Sequence, residues 1–330
     1  MPEVASIFSG VQIGVETTAG TTVSASKLLN YLSLEPGISL EFNKFRPMGQ
    51  VVASAVTPGK DFTEWNVTGQ GSYSELIYPL NSVLVSTSPT TIETTARRWT
   101  FTPAGRSEDT IKTYTVESGS ATRAQRASYV LFNGIEMTFN RSEGVTVSGS
   151  AFGQAISDGV TLTATPTTVE EAIILPTHLN VYVDTTSGSF GSTQMTRDFN
   201  AVFRCNDRWG QVWPINSSLA SYGSHVNTEP TVQIELTMAA DSQGMGPLVD
   251  ARAGTTKYIR LSAVSTVNAG ASSAKYDLFV DMAGKISDIK AFDDSDGVKV
   301  LTYTFDAVYD ANWSTGKYLE VRCTNKTSAL

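Results

Sequence analysis

Strict alternation of apolar and polar residues is the feature of this chain that most narrows its fold. In Val232-Gln-Ile-Glu-Leu-Thr-Met238, Ile135-Glu-Met-Thr-Phe139, Ile38-Ser-Leu-Glu-Phe42 and Leu319-Glu-Val-Arg-Cys323, every second side chain is apolar. Successive residues of a strand point to opposite faces, so each segment reads as a strand with one dry and one wet face. Leu301-Thr-Tyr-Thr-Phe-Asp-Ala307 and Leu179-Asn-Val-Tyr-Val183 follow the same rule. Half-buried strands of this kind belong to antiparallel sheets, because parallel sheets are usually covered on both faces. Charged residues make up only 17% of the chain. Thr, Ser and Gly take their place, which favours many short strands and turns over helices.

Turn chemistry separates the alternating runs at Ser142-Glu-Gly144, Ser157-Asp-Gly159 and Ser295-Asp-Gly297. Helix signals are few. Gly244-Met-Gly-Pro-Leu-Val-Asp-Ala-Arg252 has Pro247 placed for a first turn and Gly254 placed to end a helix. In Ser74 to Leu84 a helix is also expected, with Pro79 breaking or restarting it. One short helix per half follows.

The halves repeat one another. Gly144-Val-Thr-Val-Ser-Gly-Ser-Ala-Phe152 and Gly297-Val-Lys-Val-Leu-Thr-Tyr-Thr-Phe305 share the pattern G-V-x-V-x-x-x-x-F. Tyr129-Val-Leu-Phe132 precedes the first and Tyr276-Asp-Leu-Phe279 the second. Phe42-Asn43 matches Phe199-Asn200, with Pro79-Leu80 and Pro247-Leu248 following in the same order. A chain of 330 residues is comfortable for two cores. The expectation is two tandem β units, residues 1–165 and 166–330, joined in the Thr-rich stretch Thr161 to Glu170.

Composition excludes several function classes. The formal net charge is −8, with 24 basic against 32 acidic residues and no basic run. Tight nucleic-acid binding needs clustered cations and is not expected. No apolar run approaches the roughly 20 residues of a membrane span, and Met1 to Gly10 carries Glu3 and no basic leader, so a protein that folds in the cytoplasm is expected. Cys205 and Cys323 occupy apolar positions of strands and read as buried thiols, with a disulfide between them left open.

Catalytic and metal constellations are not found, and neither an enzyme nor a cofactor is expected. His178 and His225 lack a second ligand at useful spacing. Phe292-Asp-Asp-Ser-Asp-Gly297 puts Phe292 where a calcium loop needs its first ligand, so it reads as a turn. Gly69-Gln-Gly-Ser-Tyr-Ser74 lacks the third glycine of a dinucleotide fingerprint. Gly149-Ser-Ala-Phe-Gly153 has its serine one place early for a nucleophile elbow. Adjacent Glu170 and Glu171 would point to opposite faces of a strand. The aromatic run Asp207-Arg-Trp-Gly-Gln-Val-Trp-Pro214, together with Trp313, leaves a carbohydrate-binding β-sandwich as the alternative.

Several segments resemble the tail tube, or major tail, proteins of long-tailed bacteriophages. They are Gly14-Val-Glu-Thr-Thr-Ala-Gly-Thr-Thr22 with Leu32-Ser-Leu-Glu-Pro36, and Tyr129 to Phe139 leading into Gly144-Val-Thr-Val147. In the second half Thr256-Lys-Tyr-Ile-Arg-Leu261 and Leu301 to Tyr309 are similar to later strands of that family. The resemblance implies an all-β protein with minor α: two tail-tube-like sandwich or barrel units, each with a short flanking helix. It implies a virion protein, assembled in the host bacterial cytoplasm, whose copies join by sheet edges into rings stacked as a hollow tube. Two fused units imply homotrimeric, pseudo-hexameric rings and a non-contractile tail. Implied partners are further copies of the chain, other tail proteins, and DNA that passes the lumen without tight binding. Loops such as Arg46 to Thr63 are expected to reach a neighbouring ring as arms.

Overall fold

A computed structural model describes residues 9–216, 218–295 and 297–330. The first half contains β1 (Gly10–Val15), β2 (Lys27–Leu29), β3 (Leu32–Phe45), β4 (Ala55–Gln70), α1 (Ile77–Val83), β5 (Thr90–Thr91), β6 (Arg97–Phe101), β7 (Tyr114–Gly119), β8 (Ala124–Asn140), β9 (Gly144–Gly153), β10 (Ser157–Val160) and β11 (Thr167–Thr168). The second contains β12 (Leu179–Asp184), β13 (Gln194–Met195), β14 (Asp198–Asn206), β15 (Trp209–Val212), β16 (Ser224–Asn227), β17 (Thr231–Ala239), α2 (Gly246–Ala253), β18 (Lys257–Asn268), β19 (Lys275–Ile289), β20 (Asp293–Ser295), β21 (Val298–Ala307) and β22 (Leu319–Asn325). The protein is all-β with minor α, and each of the six alternating runs lies inside a strand.

Pairing follows one plan twice. The first half builds an antiparallel ladder in the order β1-β7-β8-β9-β4-β3. The second builds β12-β18-β19-β21-β17-β14, also antiparallel, strand for strand in the same order along the chain. α1 follows β4 as α2 follows β17. The ladders are then fused: β14 pairs with β8, β22 joins β19 to β6, and β11 still pairs with β2 of the first half. Ile173 also bridges Ser72, so the expected changeover at 165/166 lies in a stretch tied to the first ladder.

Register corrects the match of the G-V-x-V-x-x-x-x-F segments. Gly71 N–H donates to Val145 and Ala240 N–H to Lys299, which marks the same point of the two ladders and equates Val145 with Lys299. The sequence match paired Val145 with Val298, one residue away. A one-residue shift exchanges the faces of a strand. Phe305 accordingly packs in the main core, whereas Phe152 packs on the other side with Tyr129, Leu131, Trp209 and Tyr222.

The helices differ. α2 has the expected Pro247 in its first turn and ends at Gly254 with φ 63°, a conformation glycine adopts at no steric cost. α1 packs against β8 with all its residues buried. Ile77, Tyr78, Leu80 and Val83 leave no solvent-facing polar stripe, and Ser82 Oγ accepts from Phe132 N–H inside the protein. Pro79 does not break it, because it is the third residue, where a backbone N–H would have no partner within the helix. Asn81 donates to Ile77 O and accepts from Thr87 N–H, which satisfies its buried amide. Ser142-Glu-Gly144 forms the expected turn between β8 and β9, while Ser157-Asp-Gly159 lies within β10. Of Ser295-Asp-Gly297, Asp296 lies outside the described residues, as does most of the N-terminal segment Met1 to Gly10.

Candidate functional site: a filled seam and two open edges

The two ladders meet where β14 lies along β8, from Asn200 opposite Asn140 to Cys205 opposite Ile135. Alternation in Asp198-Phe-Asn-Ala-Val-Phe-Arg-Cys205 sends Ala201, Phe203 and Cys205 into the core opposite Phe139, Met137 and Ile135. Burying a side chain such as Phe203 contributes about 1.5–3 kcal/mol. On the other face Arg204 reaches Glu136 at 2.6 Å and Glu235 at 3.1 Å, and Lys290 reaches Glu235 at 3.0 Å. Burial disfavours the charge on Glu235, but Lys290 and Arg204 outweigh it and hold the carboxyl below its ordinary range.

The counterparts of these joined edges are open. β3, the counterpart of β14, pairs with β4 alone among the described residues. β19 beyond Gly284, and β20 after it, have β21 on one side and no strand on the other among the described residues. An unpaired edge presents backbone N–H and C=O groups ready to pair with another chain.

β3 and β4 also run past the body as a hairpin. Arg46 to Thr63 was expected as a loop; only Arg46 to Ser54 turns, and strand resumes at Ala55. Ladder hydrogen bonds can continue there because Leu40 pairs Asp61 and, after a bulge, Phe45 pairs Ala55. The alternating face of Ile38 and Phe42 therefore exists but covers nothing: these side chains are 61% and 59% exposed. Phe45, Met48, Val51, Val52 and Val56 extend the exposed apolar surface along the arm. Apolar patches of this kind mark association surfaces.

The residues weighed for other chemistry have structural partners. Trp209 is buried and donates to Ser82 O, and Trp313 is buried beside Phe190. Trp213 is partly covered and stands edge-on to Phe62 at 5.9 Å. Trp209 and Trp213 line one open pocket with Phe62 and Trp65, but the Trp209 ring is almost wholly buried there, and Trp313 belongs to a separate cluster. His178 Nδ1 lies 3.1 Å from the Tyr73 hydroxyl and His225 Nδ1 3.0 Å from that of Tyr129; burial lowers the pKa of both imidazoles. Glu170 takes Lys326 and the Tyr276 hydroxyl, and Glu171 lies near Tyr31. Gly149 to Gly153 lies within β9 and Gly69 within β4; a Cβ on Gly69 would stand 2.0 Å from Tyr31 O, so close backbone approach requires that glycine. Asp293 to Ser295 form β20. Both thiols are free and buried.

Several acids that sequence reasoning left unassigned tie loops down. Glu75 is fully buried and accepts from the N–H groups of Asn30, Tyr31 and Leu32. Glu16 accepts from Gly20 N–H, the hydroxyls of Thr113 and Thr115, and Tyr129 N–H. That last bond holds Tyr129 at φ 55°, where β8 bends between its pairing with β7 and its pairing with β9. Asp184 accepts from Gly191, Ser192 and Thr193, and Glu93 from Ser272, Ser273 and Ala274. Asp198 differs. Both its oxygens are buried without a partner beside a cavity of about 310 Å³, lined among others by Phe139, Arg141 and Met195, and burial pushes its carboxyl up to about 7. Among the described residues no group of three His, Cys, Asp or Glu is placed to hold a metal ion. No helix among the described residues is long and apolar enough to cross a membrane.

No protein-family model matches this sequence, and a search of curated proteins finds no match.

Proposed function

We propose that this chain is a structural subunit of a phage-type tail tube, which self-assembles head to tail into rings that stack as a hollow conduit for DNA. One observation carries the reading. The chain contains two ladders of one plan, joined at β14 and β8, and the counterpart edges, β3 and the end of β19 with β20, have no partner strand among the described residues. A contact that repeats the seam between chains is heterologous, and it makes a ring where its rotation closes. The resemblance read from Gly14 to Thr22, Tyr129 to Phe139 and Leu301 to Tyr309 sets the expected number at six ladders, hence three chains.

The exposed apolar arm supplies a second contact, out of the ring, through which rings can stack. A net charge of −8 per chain suits a wall that repels phosphate and keeps DNA mobile. Burial of Trp209 and Trp313 disfavours the alternative of a glycan-binding sandwich.

Negative-stain electron microscopy and solution mass of the purified chain, at rising concentration, test the reading. Rings of three chains and hollow stacks are expected. A chain that stays monomeric at every concentration and salt would overturn it.

A further inference from the structure

The seam inside the chain specifies the register of the contact between chains. Starting from the equivalent points Gly71 and Ala240, eight residues back along β4 and β17 lie Thr63 and Val232. Their neighbours on the next strand are Ile38 and Cys205. Ile38 thus holds in β3 the place that Cys205 holds in β14. From the equivalent points Val145 and Lys299, four residues on lie Gly149 and Tyr303, whose neighbours are Ile135 and Ile289. Ile289 thus holds in β19 the place of Ile135. Within the chain Cys205 and Ile135 are opposite one another and buried. Ile38 is 61% exposed and Ile289 partly so, with no strand opposite either edge among the described residues.

We propose that β3 of one chain pairs antiparallel with the β19–β20 edge of a second copy, with Ile38 opposite the partner's Ile289. This rests on the ring reading above and assigns its residues. Two details favour this register. Paired so, two isoleucines cover one another on the core side, as Cys205 and Ile135 do in the seam. Two residues along, Pro36 occupies the place of Phe203 and meets the position of Ala291. Proline has no N–H to give a ladder, and residues 290–292, between β19 and β20, are where the receiving edge leaves regular strand.

Disulfide trapping tests the pair. Residues opposite one another in an antiparallel ladder have Cα atoms about 4.5–5.5 Å apart, within reach of a disulfide. Ile38→Cys and Ile289→Cys are made as separate chains, mixed and oxidised. A linked dimer is expected, at a yield at least about ten-fold above that from Ser39→Cys mixed with Ile289→Cys, because a one-residue slip turns the thiol to the opposite face. The double variant is expected to link up to the closed ring. Rings seen by microscopy without linkage at this pair would overturn the register and leave the tube reading standing. Chains that neither link nor assemble would overturn both.

Discussion

Arg204 on β14 and Glu136 on β8 meet at 2.6 Å across the line where one half of the chain joins the other. Glu235 and Lys290 continue the contact, so four charges on one face of the sheet brace a seam whose other face is apolar. Arg204→Met should lower stability by about 1–2 kcal/mol at pH 7, measured by chemical denaturation. Glu235 is held below its ordinary pKa despite its burial, so its contribution is complete above the unfolded value near 4.3 and is lost as pH falls through the lower folded one. The penalty of the variant should therefore shrink below about pH 4. A pH-independent difference would assign it to packing of the Arg204 stem instead.

Asp198 has the opposite sign. A carboxyl raised to about 7 by burial carries no charge penalty while protonated, and that penalty grows as pH rises from the unfolded value to the folded one. Asp198→Asn should be neutral at pH 4 and stabilising at pH 8, by no more than about 4 kcal/mol. Melting curves at the two pH values check this. Equal shifts at both would show that the carboxylate finds a partner.

Glu75 is a fastener. Burial raises its pKa, partly offset by the three N–H donors of Asn30, Leu32 and Tyr31. Glu75→Ala orphans those donors at the entry to β3 and should cost at least about 3 kcal/mol. A loss under 1 kcal/mol would mean that water replaces the carboxylate.

Cys205 and Cys323 should be silent toward thiol reagents in the native protein. Burial pushes the Cys205 thiol up to about 12 and Cys323 well above its usual value, and thiolate is the reactive form. Both should label at once in denaturant. Fast native labelling of either would place it at the surface.

Shortening the arm separates fold from assembly. Replacing residues 42–59 by an Asn-Gly turn removes side chains that are almost all exposed, so stability should stay within about 0.5 kcal/mol. Stacking of rings should be lost while rings still form. Tubes of normal length from this variant would exclude the arm as the axial contact.

Alternation told which residues share a face, so the strands and the all-β class were legible from the chain. So was α2, because Pro247 and Gly254 act through local backbone geometry. The repeated segments lie in the same order of elements, but the equivalence of Ile38 with Cys205 sets Leu32, not Phe42, against Phe199. Tertiary structure decided what covers each face. Ile38-Ser-Leu-Glu-Phe42 and Val232 to Met238 carry the same pattern, yet the first is open and the second is core. Phe152 and Phe305 share a motif but not a side of the sheet, since register depends on bulges and pairings distant in sequence. The seam, the open edges and the loop-anchoring acids were hidden for one physical reason. They are made by backbone N–H and C=O groups, which every residue but proline carries alike, so only the assembled ladders show which are used and which are left unpaired.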